Sequence, residues 1–341
     1  MRAAIYNPYL DTLGGGERYS LSFARVLAAK GFSVDVQWEE ATIKGKLENR
    51  FGMQLNEINI VPDVKRGGGY DVCFWVSDGS IPTLGARKNF LHFQFPFKGV
   101  KGRSLLNRMK LFRINKIIVN SAFTKGFVDE EYGVDSTVIY PPVDVEKIPS
   151  GKKENLILFV GRFSQLEQAK NQHVLVGAFK KFYDAGAHDW ELTLAGGVEV
   201  GVDVYFNRLQ RLSEGYPIKI VKSPDFRQLR QLYARAKLFW SAVGFGVNAA
   251  KEPKRVEHFG MTVVEAMAAG AIPIVFDEGG HKEIVEQGKN GFLWKSLGQL
   301  LKFSKNVTRD KALARDLSLG AKRDADRFSY DKFEKSILEI L

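Results

Sequence analysis

Short apolar runs alternate along this chain with segments whose apolar residues recur at helical spacing. Ala3 to Tyr6 reads as a strand, and the loop from Asn7 to Gly16 ends in three glycines. Tyr19, Phe23, Val26 and Leu27 then mark a helix that Gly31 stops, and Phe32 to Trp38 alternates as a second strand. Strand, glycine loop, helix and strand in that order begin a doubly wound parallel sheet. Further strands fall at Asp71 to Val76, Lys88 to Phe93 and Ile117 to Asn120, with Ser121 as the N-cap of the helix that follows. Gly67 to Gly69 reads as a turn.

Pro141, Pro142, Pro149, Ser150 and Gly151 then cluster before the charged KKEN, which places a linker there. The alternation restarts with the buried-type strand Leu156 to Val160. A helix opened by Lys170-Asn171 carries Leu175, Ala178, Phe179 and Phe182 on one face. Strands at Trp190 to Ala195, Ile218 to Val221 and Leu238 to Ser241 are separated by helices over Tyr205 to Leu212 and after Pro224-Asp225. Ala242 to Val256 is a longer loop. After it come a helix over Thr262 to Ala269 stopped by Gly270, and a strand over Ala271 to Phe276. The turn Asp277 to Gly280, a short helix carrying KEIVEQ, a strand at Gly291 to Trp294 and two closing helices complete the pattern. The expected fold class is α/β: two doubly wound Rossmann-like domains, over 1–146 and 151–328, with a terminal helix over 329–341.

Composition narrows the class. The chain has 341 residues, 45% of them hydrophobic, with 33 glycines, so it is an ordered α/β protein with ample core. The single cysteine, Cys73, sits in the apolar run VCFWV; it reads as a small core hydrophobe in a reduced, cytoplasmic setting. No apolar run is long enough to span a membrane, and MRAAIYNPYL reads as a first strand, not a signal peptide. The formal charge of +11 suits anionic small molecules, nucleic acid or an acidic membrane surface. From Gly79 through Val128 there is no Asp or Glu. Within that span Leu105, Leu106, Met109 and Phe112 form an apolar stripe among basic residues, in the region 98–116. Two readings stay open for it: a surface helix resting on anionic lipid, or a core-facing helix with a solvated basic side. No recognition motif with interleaved aromatics accompanies the charge, which argues against nucleic acid.

Chemistry concentrates between Arg255 and Phe276, RVEHFGMTVVEAMAAGAIPIVF. Glu257 precedes the helix and Glu265 lies in or near its first turn, where the amides of Gly260, Met261 and Thr262 are available to an anion. Eight helical residues rise about 12 Å, so the carboxylates can hold opposite ends of one elongated ligand. A nucleotide sugar fits: one carboxylate takes the ribose diol, the amides sit near the diphosphate, and the other carboxylate reaches the sugar. Arg162, just past a strand, and Lys170, near a helix start, can neutralise a diphosphate from two sides. The gap between them, SQLEQA, is of ordinary length. The loop LGGGER, with Gly15 and Gly16, lets backbone approach a ligand closely, but it is neither a dinucleotide fingerprint nor a P-loop. Alone it is either a tight turn or a phosphate or acceptor loop. His92 ends a strand, at the edge from which such sheets present ligand groups. Asp324 to Asp326, the one Asp-x-Asp string, lies in a basic helical tail and is discounted as a metal site.

The string EHFGMTVVEAMAAGAIPIV, followed by DEGGHKEIVEQGKNGFLW, resembles the signature of the family 4 retaining glycosyltransferases, with both glutamates, Phe259-Gly260, EAMAAG and the later Gly pair in the family's order. The resemblance implies a GT-B fold, two Rossmann-like domains facing across a cleft, the second binding the nucleotide sugar and the final helix returning to the first. NPYLDTLGGGER looks like the family's first loop, GRF followed by KN like its diphosphate pair, and His92 like its cleft histidine, which contacts the donor sugar. The resemblance thus implies donor binding by Gly15, Gly16, Arg162, Lys170, Phe259, Gly260, Met261, Thr262 and Glu265, with Glu257 orienting the sugar. No metal and no cofactor is expected beyond the nucleoside-diphosphate sugar itself. His258 stands where many members carry glycine; EHFG is similar to members acting on lipid-linked glycans, including mannosyltransferases, and tilts the expected donor toward GDP-mannose over a UDP-sugar. The expected activity is transfer of a mannose- or glucose-type hexose to a glycan or lipid-linked acceptor, in the cytoplasm or peripherally at the inner face of a membrane. The competing readings are a GT-B sugar-nucleotide epimerase or phosphorylase, though no lysine is marked out for pyridoxal phosphate, and a non-catalytic anionic-lipid or nucleic-acid binder on the same fold.

Overall fold

A computed structural model describes residues 1–164, 168–198 and 203–341, so part of the SQLEQA gap lies outside the described residues. The chain divides into two compact units, Met1–Pro142 with Tyr330–Leu341, and Val143–Ser329.

In the first unit β1 (Arg2–Tyr6), α1 (Gly15–Ala29), β2 (Ser33–Gln37), α2 (Ile43–Phe51), β3 (Ile58–Val61), β4 (Val72–Val76), β5 (Lys88–Phe93), α3 (Leu105–Leu111), β6 (Lys116–Val119), α4 (Ala122–Tyr132) and β7 (Thr137–Val138) follow in order. The strands form one parallel sheet in the order β3-β2-β1-β4-β5-β6-β7. A parallel sheet needs both faces covered, which is why β5 is buried from Asn89 to Phe93. The apolar face of α1 supplies one cover, with Phe23 stacked on Phe74 at 4.2 Å between ring centroids. Neither α2 nor β3 stands out in the sequence pattern. In α2 only Ile43, Leu47 and Phe51 are buried, in an otherwise polar segment, and β3 is a short edge strand. The stripe around α3 is settled by packing. None of α3's residues is buried, and Leu111 and Ile114, not the stripe, face the cluster of Leu91, Phe93, Phe97 and Tyr132. The core-facing reading of the stripe is therefore wrong.

The second unit runs β8 (Glu154–Val160), α5 (Gln172–Asp184), β9 (Glu191–Gly196), α6 (Asp203–Ser213), β10 (Ile218–Lys222), α7 (Phe226–Arg235), β11 (Ala236–Ser241), α8 (Met261–Ala268), β12 (Ile272–Phe276), α9 (His281–Ile284), β13 (Phe292–Trp294), α10 (Leu297–Arg309) and α11 (Lys311–Ala325). Among the described residues its strands make a parallel sheet ordered β10-β9-β8-β11-β12-β13. Trp240 and Trp294 are fully buried in its core. The signature helix α8 buries Val263, Val264, Ala266 and Met267, the all-round apolar surface of a helix enclosed by its neighbours. It starts one residue earlier than the sequence pattern indicates, which puts Glu265 in its second turn. The short helix α9 stops at Ile284 instead of running through KEIVEQ, because the Asn290 side chain takes the Glu286 amide and donates to the Ile284 carbonyl.

In each sheet the strand order reverses once, between β1 and β4 and between β8 and β11. Open α/β sheets bind ligands beyond the carboxyl ends of the strands at such a switch point. The last helix, α12 (Tyr330–Ile340), belongs to the first unit. Its Phe333 and Ile337 join that core, and Phe333 meets the Tyr19 ring edge-on at 5.1 Å. Phe333→Ala is therefore expected to cost about 3–5 kcal/mol of stability, whereas Leu338→Ala, at a surface position, costs little. Chemical denaturation of the full chain measures both, and equal midpoints for Phe333→Ala and wild type would show that α12 is not part of this core.

Candidate functional site

The candidate residues of the second unit come from the two segments flanking its switch point. Arg162 and Lys170 follow β8, and Glu257 to Thr262 follow β11. Past β8 the chain runs close beside the end of β9. The Phe163 amide donates to the Gly197 carbonyl, and a Cβ on Gly196 would lie 1.9 Å from the Gly161 oxygen, so only glycine fits there. Lys170 returns to the same point, its Cγ 3.5 Å from where a Cβ on Gly161, the neighbour of Arg162, would stand. The Arg162 carbonyl accepts from Gln172 in the first turn of α5, and Asn171 donates to the Ala242 carbonyl past β11. These bonds tie both loops to the sheet's carboxyl edge.

Lys170 makes the central contact. Its ammonium donates to Glu257 Oε2 at 3.0 Å and to Gln168 Oε1 at 2.8 Å, while the Gln168 side chain donates to the Val256 carbonyl at 2.7 Å. The two charged side chains are only 12% and 16% exposed, so the pair is shielded from solvent screening. Burial by itself would raise the Glu257 pKa; the Lys170 charge, the two neighbouring imidazoles and the Lys170 hydrogen bond outweigh it, and the carboxyl sits below its usual range. An ammonium has three donors, so one N–H of Lys170 meets no acceptor among the described residues.

Glu257 is positioned by a close backbone contact. The Gly280 amide donates to the Glu257 carbonyl at 2.7 Å. A Cβ on Gly279 would lie 2.1 Å from that same carbonyl oxygen, and one on Gly280 would lie 2.4 Å from Phe259 Cα. The Gly pair is thus required by approach, not by loop flexibility. Gly260 turns the chain into α8 at φ 116°, where a side chain is disfavoured. The amides of Gly260, Met261 and Thr262 meet no acceptor among the described residues, as expected for a helix start. Phe259 differs from the others: its ring is buried edge-on against Phe328 at 5.1 Å, so only its backbone faces the turn. One turn into α8 Glu265 is buried, and its Oε2 accepts from the Tyr233 hydroxyl of α7 at 2.7 Å.

Two buried imidazoles back the Glu257 turn. His258 Nε2 lies 3.2 Å from the Lys254 carbonyl, and burial pushes the pKa of its ring down to about 4 despite the nearby Glu257 charge. His281 Nδ1 lies 2.8 Å from the Phe276 carbonyl, its buried Nε2 has no hydrogen-bond partner among the described residues, and burial lowers its pKa too. Sequence reasoning missed Gln168, Tyr233 and His281. His281 directly follows the Gly pair and was open to notice, whereas nothing local to Tyr233 or Gln168 marks them. Asp324, of the discounted Asp-x-Asp string, accepts from Asn290 and pairs with Arg323.

The remaining candidates lie in the first unit. Gly15 and Gly16 form the first turn of α1, and the Gly14 amide there donates to Glu17 Oε2 at 2.6 Å. A Cβ on Gly16 would fall 1.6 Å from Gln94 Oε1, so a side chain there would displace the Gln94 amide. His92 sits one residue from the end of β5, yet its ring is fully buried, stacked on Tyr19 at 4.2 Å. Among the described residues neither ring nitrogen has a partner in hydrogen-bond geometry, and burial drives the pKa to about 3 despite the nearby Ile118 carbonyl. In this conformation His92 presents no atom to a ligand.

The sequence profile of the glycosyl transferases group 1 matches residues 142–318. The GDP-Man:Man(3)GlcNAc(2)-PP-Dol alpha-1,2-mannosyltransferase of Dictyostelium discoideum is 26% identical over 247 residues, 66% of this chain and 46% of that protein. The chain spans about half the length of the first mannosyltransferases it matches. An uncharacterized glycosyltransferase of Methanocaldococcus jannaschii is 27% identical across 99% of this chain and 96% of its own length. Among solved structures, Anabaena HepE in complex with UDP superposes with a TM-score of 0.79 and 18% identity, over 99% of both chains, which makes the fold GT-B.

The buried imidazole of His258 sets a pH dependence. Its folded pKa of about 4 lies below the ordinary 6.5, so the unfolded chain binds the proton first. Its stabilising effect is complete above pH 6.5 and is lost as pH falls from there toward 4. Over that window wild type is expected to lose roughly 2–3 kcal/mol through His258, and His258→Gln to lose correspondingly less. Urea midpoints measured across the window decide it; parallel slopes for the two proteins would mean that His258 is not held neutral.

Proposed function

The chain belongs to the group 1 glycosyl transferases, and from that membership we propose that it moves a mannose- or glucose-type hexose from a nucleoside-diphosphate sugar to a glycan or lipid-linked acceptor. The observation that carries this reading is the Lys170–Glu257 pair, 3.0 Å apart at the switch point of the second sheet, beside amides that meet no acceptor at the start of α8. Departure of the nucleoside diphosphate leaves an oxocarbenium-like sugar and builds charge on the leaving phosphate, and fixed donors aimed at that charge lower the barrier. We assign the charge compensation to Arg162, the remaining N–H of Lys170 and the amides of Gly260, Met261 and Thr262. On this assignment the reaction needs no metal.

Glu257, held as a carboxylate by Lys170, is proposed to orient the donor sugar through its hydroxyls. Glu265 is proposed to accept the ribose diol, with Tyr233 occupying one of its oxygens and fixing its rotamer. Gly15, Gly16 and His92 are proposed as donor contacts on the resemblance of their segments alone, and His92 would have to leave its stack on Tyr19 to touch a sugar. The mannosyltransferase relatives and the EHFG variant support a GDP-mannose donor; the UDP and UDP-glucose bound to HepE support a UDP-sugar. We place the activity in the cytoplasm, peripheral to the inner face of a membrane when the acceptor is lipid-borne.

Donor binding and hydrolysis across UDP-, GDP- and ADP-sugars test the reading. Arg162→Ala and Glu265→Gln are each expected to weaken donor binding about tenfold or more, the scale of a lost charge-assisted hydrogen bond, with the thermal midpoint little changed. Unchanged affinity in either variant removes the role assigned to that residue. A thermal shift produced only by polyanions and abolished by salt would replace the enzyme with a polyanion binder.

A further inference from the structure

The segment around α3 carries an apolar face with no partner in its own unit. Leu105, Met109 and Phe112 fall at i, i+4 and i+7, on one side of the helix, with Leu106 beside them. Their exposures are 75%, 61%, 90% and 60%. Among the described residues, five of the ten exposed large hydrophobics lie between Val100 and Phe112, so this is one patch, unlike the scattered exposure normal for a surface. The same helix already satisfies the core through Leu111, which makes the outward face surplus to folding.

The patch is held rigidly. The Glu131 carboxylate of α4 accepts the amides of Gly99, Val100 and Gly102. The Arg103 guanidinium donates to the Glu130 carbonyl, and Gly102 lies so close to Tyr132 that a Cβ would stand 2.6 Å from its ring. Around the apolar face stand exposed cations such as Lys101, Arg108 and Lys116, and no carboxylate occurs from Gly79 to Val128. The Glu131 carboxylate, which reaches the patch's own loop, is engaged by those backbone amides.

We propose that the α3 segment docks this chain onto an anionic lipid bilayer, with Leu105, Leu106, Met109 and Phe112 entering the interface and the surrounding cations facing lipid phosphates. Short amphipathic elements bind in this way, through apolar insertion plus attraction to anionic headgroups. A protein groove would accept the same apolar residues, but it would not call for a surrounding segment, Gly79 to Val128, that carries cations and no acid. The proposal rests on the transferase reading only in supplying a lipid-borne acceptor; the surface itself stands on the first unit's geometry.

Flotation of the full chain with vesicles of equal parts phosphatidylcholine and phosphatidylglycerol tests it. Wild type is expected to float about tenfold more with these than with phosphatidylcholine alone, and less in high salt. Replacing Leu105, Leu106, Met109 and Phe112 by Ser is expected to cut the bound fraction about tenfold, with urea midpoint and nucleotide-induced thermal shift retained. Arg108→Glu with Lys110→Glu, which leaves the apolar face intact, should remove the preference for anionic vesicles. Wild type that stays unbound, serine variants that float equally, or a wild-type dimer that the serine variants convert to monomer without any vesicle binding would each overturn the proposal, the last by giving the face to a second copy. Vesicle binding without donor turnover would instead sink the transferase reading and leave this surface standing.

Discussion

The second unit's site depends on a contact in which no side chain can take part. The turn at Gly279-Gly280 presses against the backbone of Glu257, His258 and Phe259, with the Gly280 amide bonded to the Glu257 carbonyl and no room for a Cβ on either glycine. That contact fixes the backbone from which the Glu257 carboxylate reaches Lys170. Two burials then follow from it. Phe259 is driven into the core against Phe328, and His258 and His281 are enclosed beside the carboxylate as neutral rings. A carboxylate in such a place would be expensive without its partner. Lys170 and Glu257 therefore hold one another in the charged state.

Sheet topology explains why these residues meet. Lys170 and Glu257 are 87 residues apart, and they converge because β8 and β11 are neighbours at the point where the strand order reverses. Each strand delivers its following loop to the same edge, one bringing cations and the other a carboxylate and a helix start. Gly196 allows the β8 loop to lie flat against the end of β9, close enough that a methyl group there would collide with the Gly161 backbone. Glycine at this position is a requirement of distance.

The first unit shows the same logic with a different outcome. Gly16 in the first turn of α1 meets the Gln94 side chain just past β5, the amide tip standing where a Cβ would be. His92, which its position at a strand end marks for ligand contact, is enclosed by Tyr19 and Phe74. Its neighbours on α1 and β4 decide this, since the imidazole packs against both rings and is left with no exposed surface. The α3 stripe went the opposite way. Its apolar residues have the spacing of a buried face, yet Leu111 and Ile114 take the core side and leave the stripe to solvent.

Alternation of apolar runs and helical stripes was enough to establish two parallel α/β sheets, because period and burial are local properties of a strand or helix. The glutamate pair and the arginine and lysine past β8 could be picked out in the same way, as residue types after recognisable elements, whereas the Gly pair stood out only through the family resemblance. The low-contrast segment from Ile43 to Val61 was not, since three buried residues in a polar helix and one edge strand carry little pattern. Tertiary structure alone decided that Tyr233 caps Glu265, that Gln168 braces Lys170, that His92 is enclosed and that the stripe on α3 faces outward. Each of those outcomes depends on which distant surface packs where, and side-chain pairing across tens of residues leaves no trace in the period of either segment.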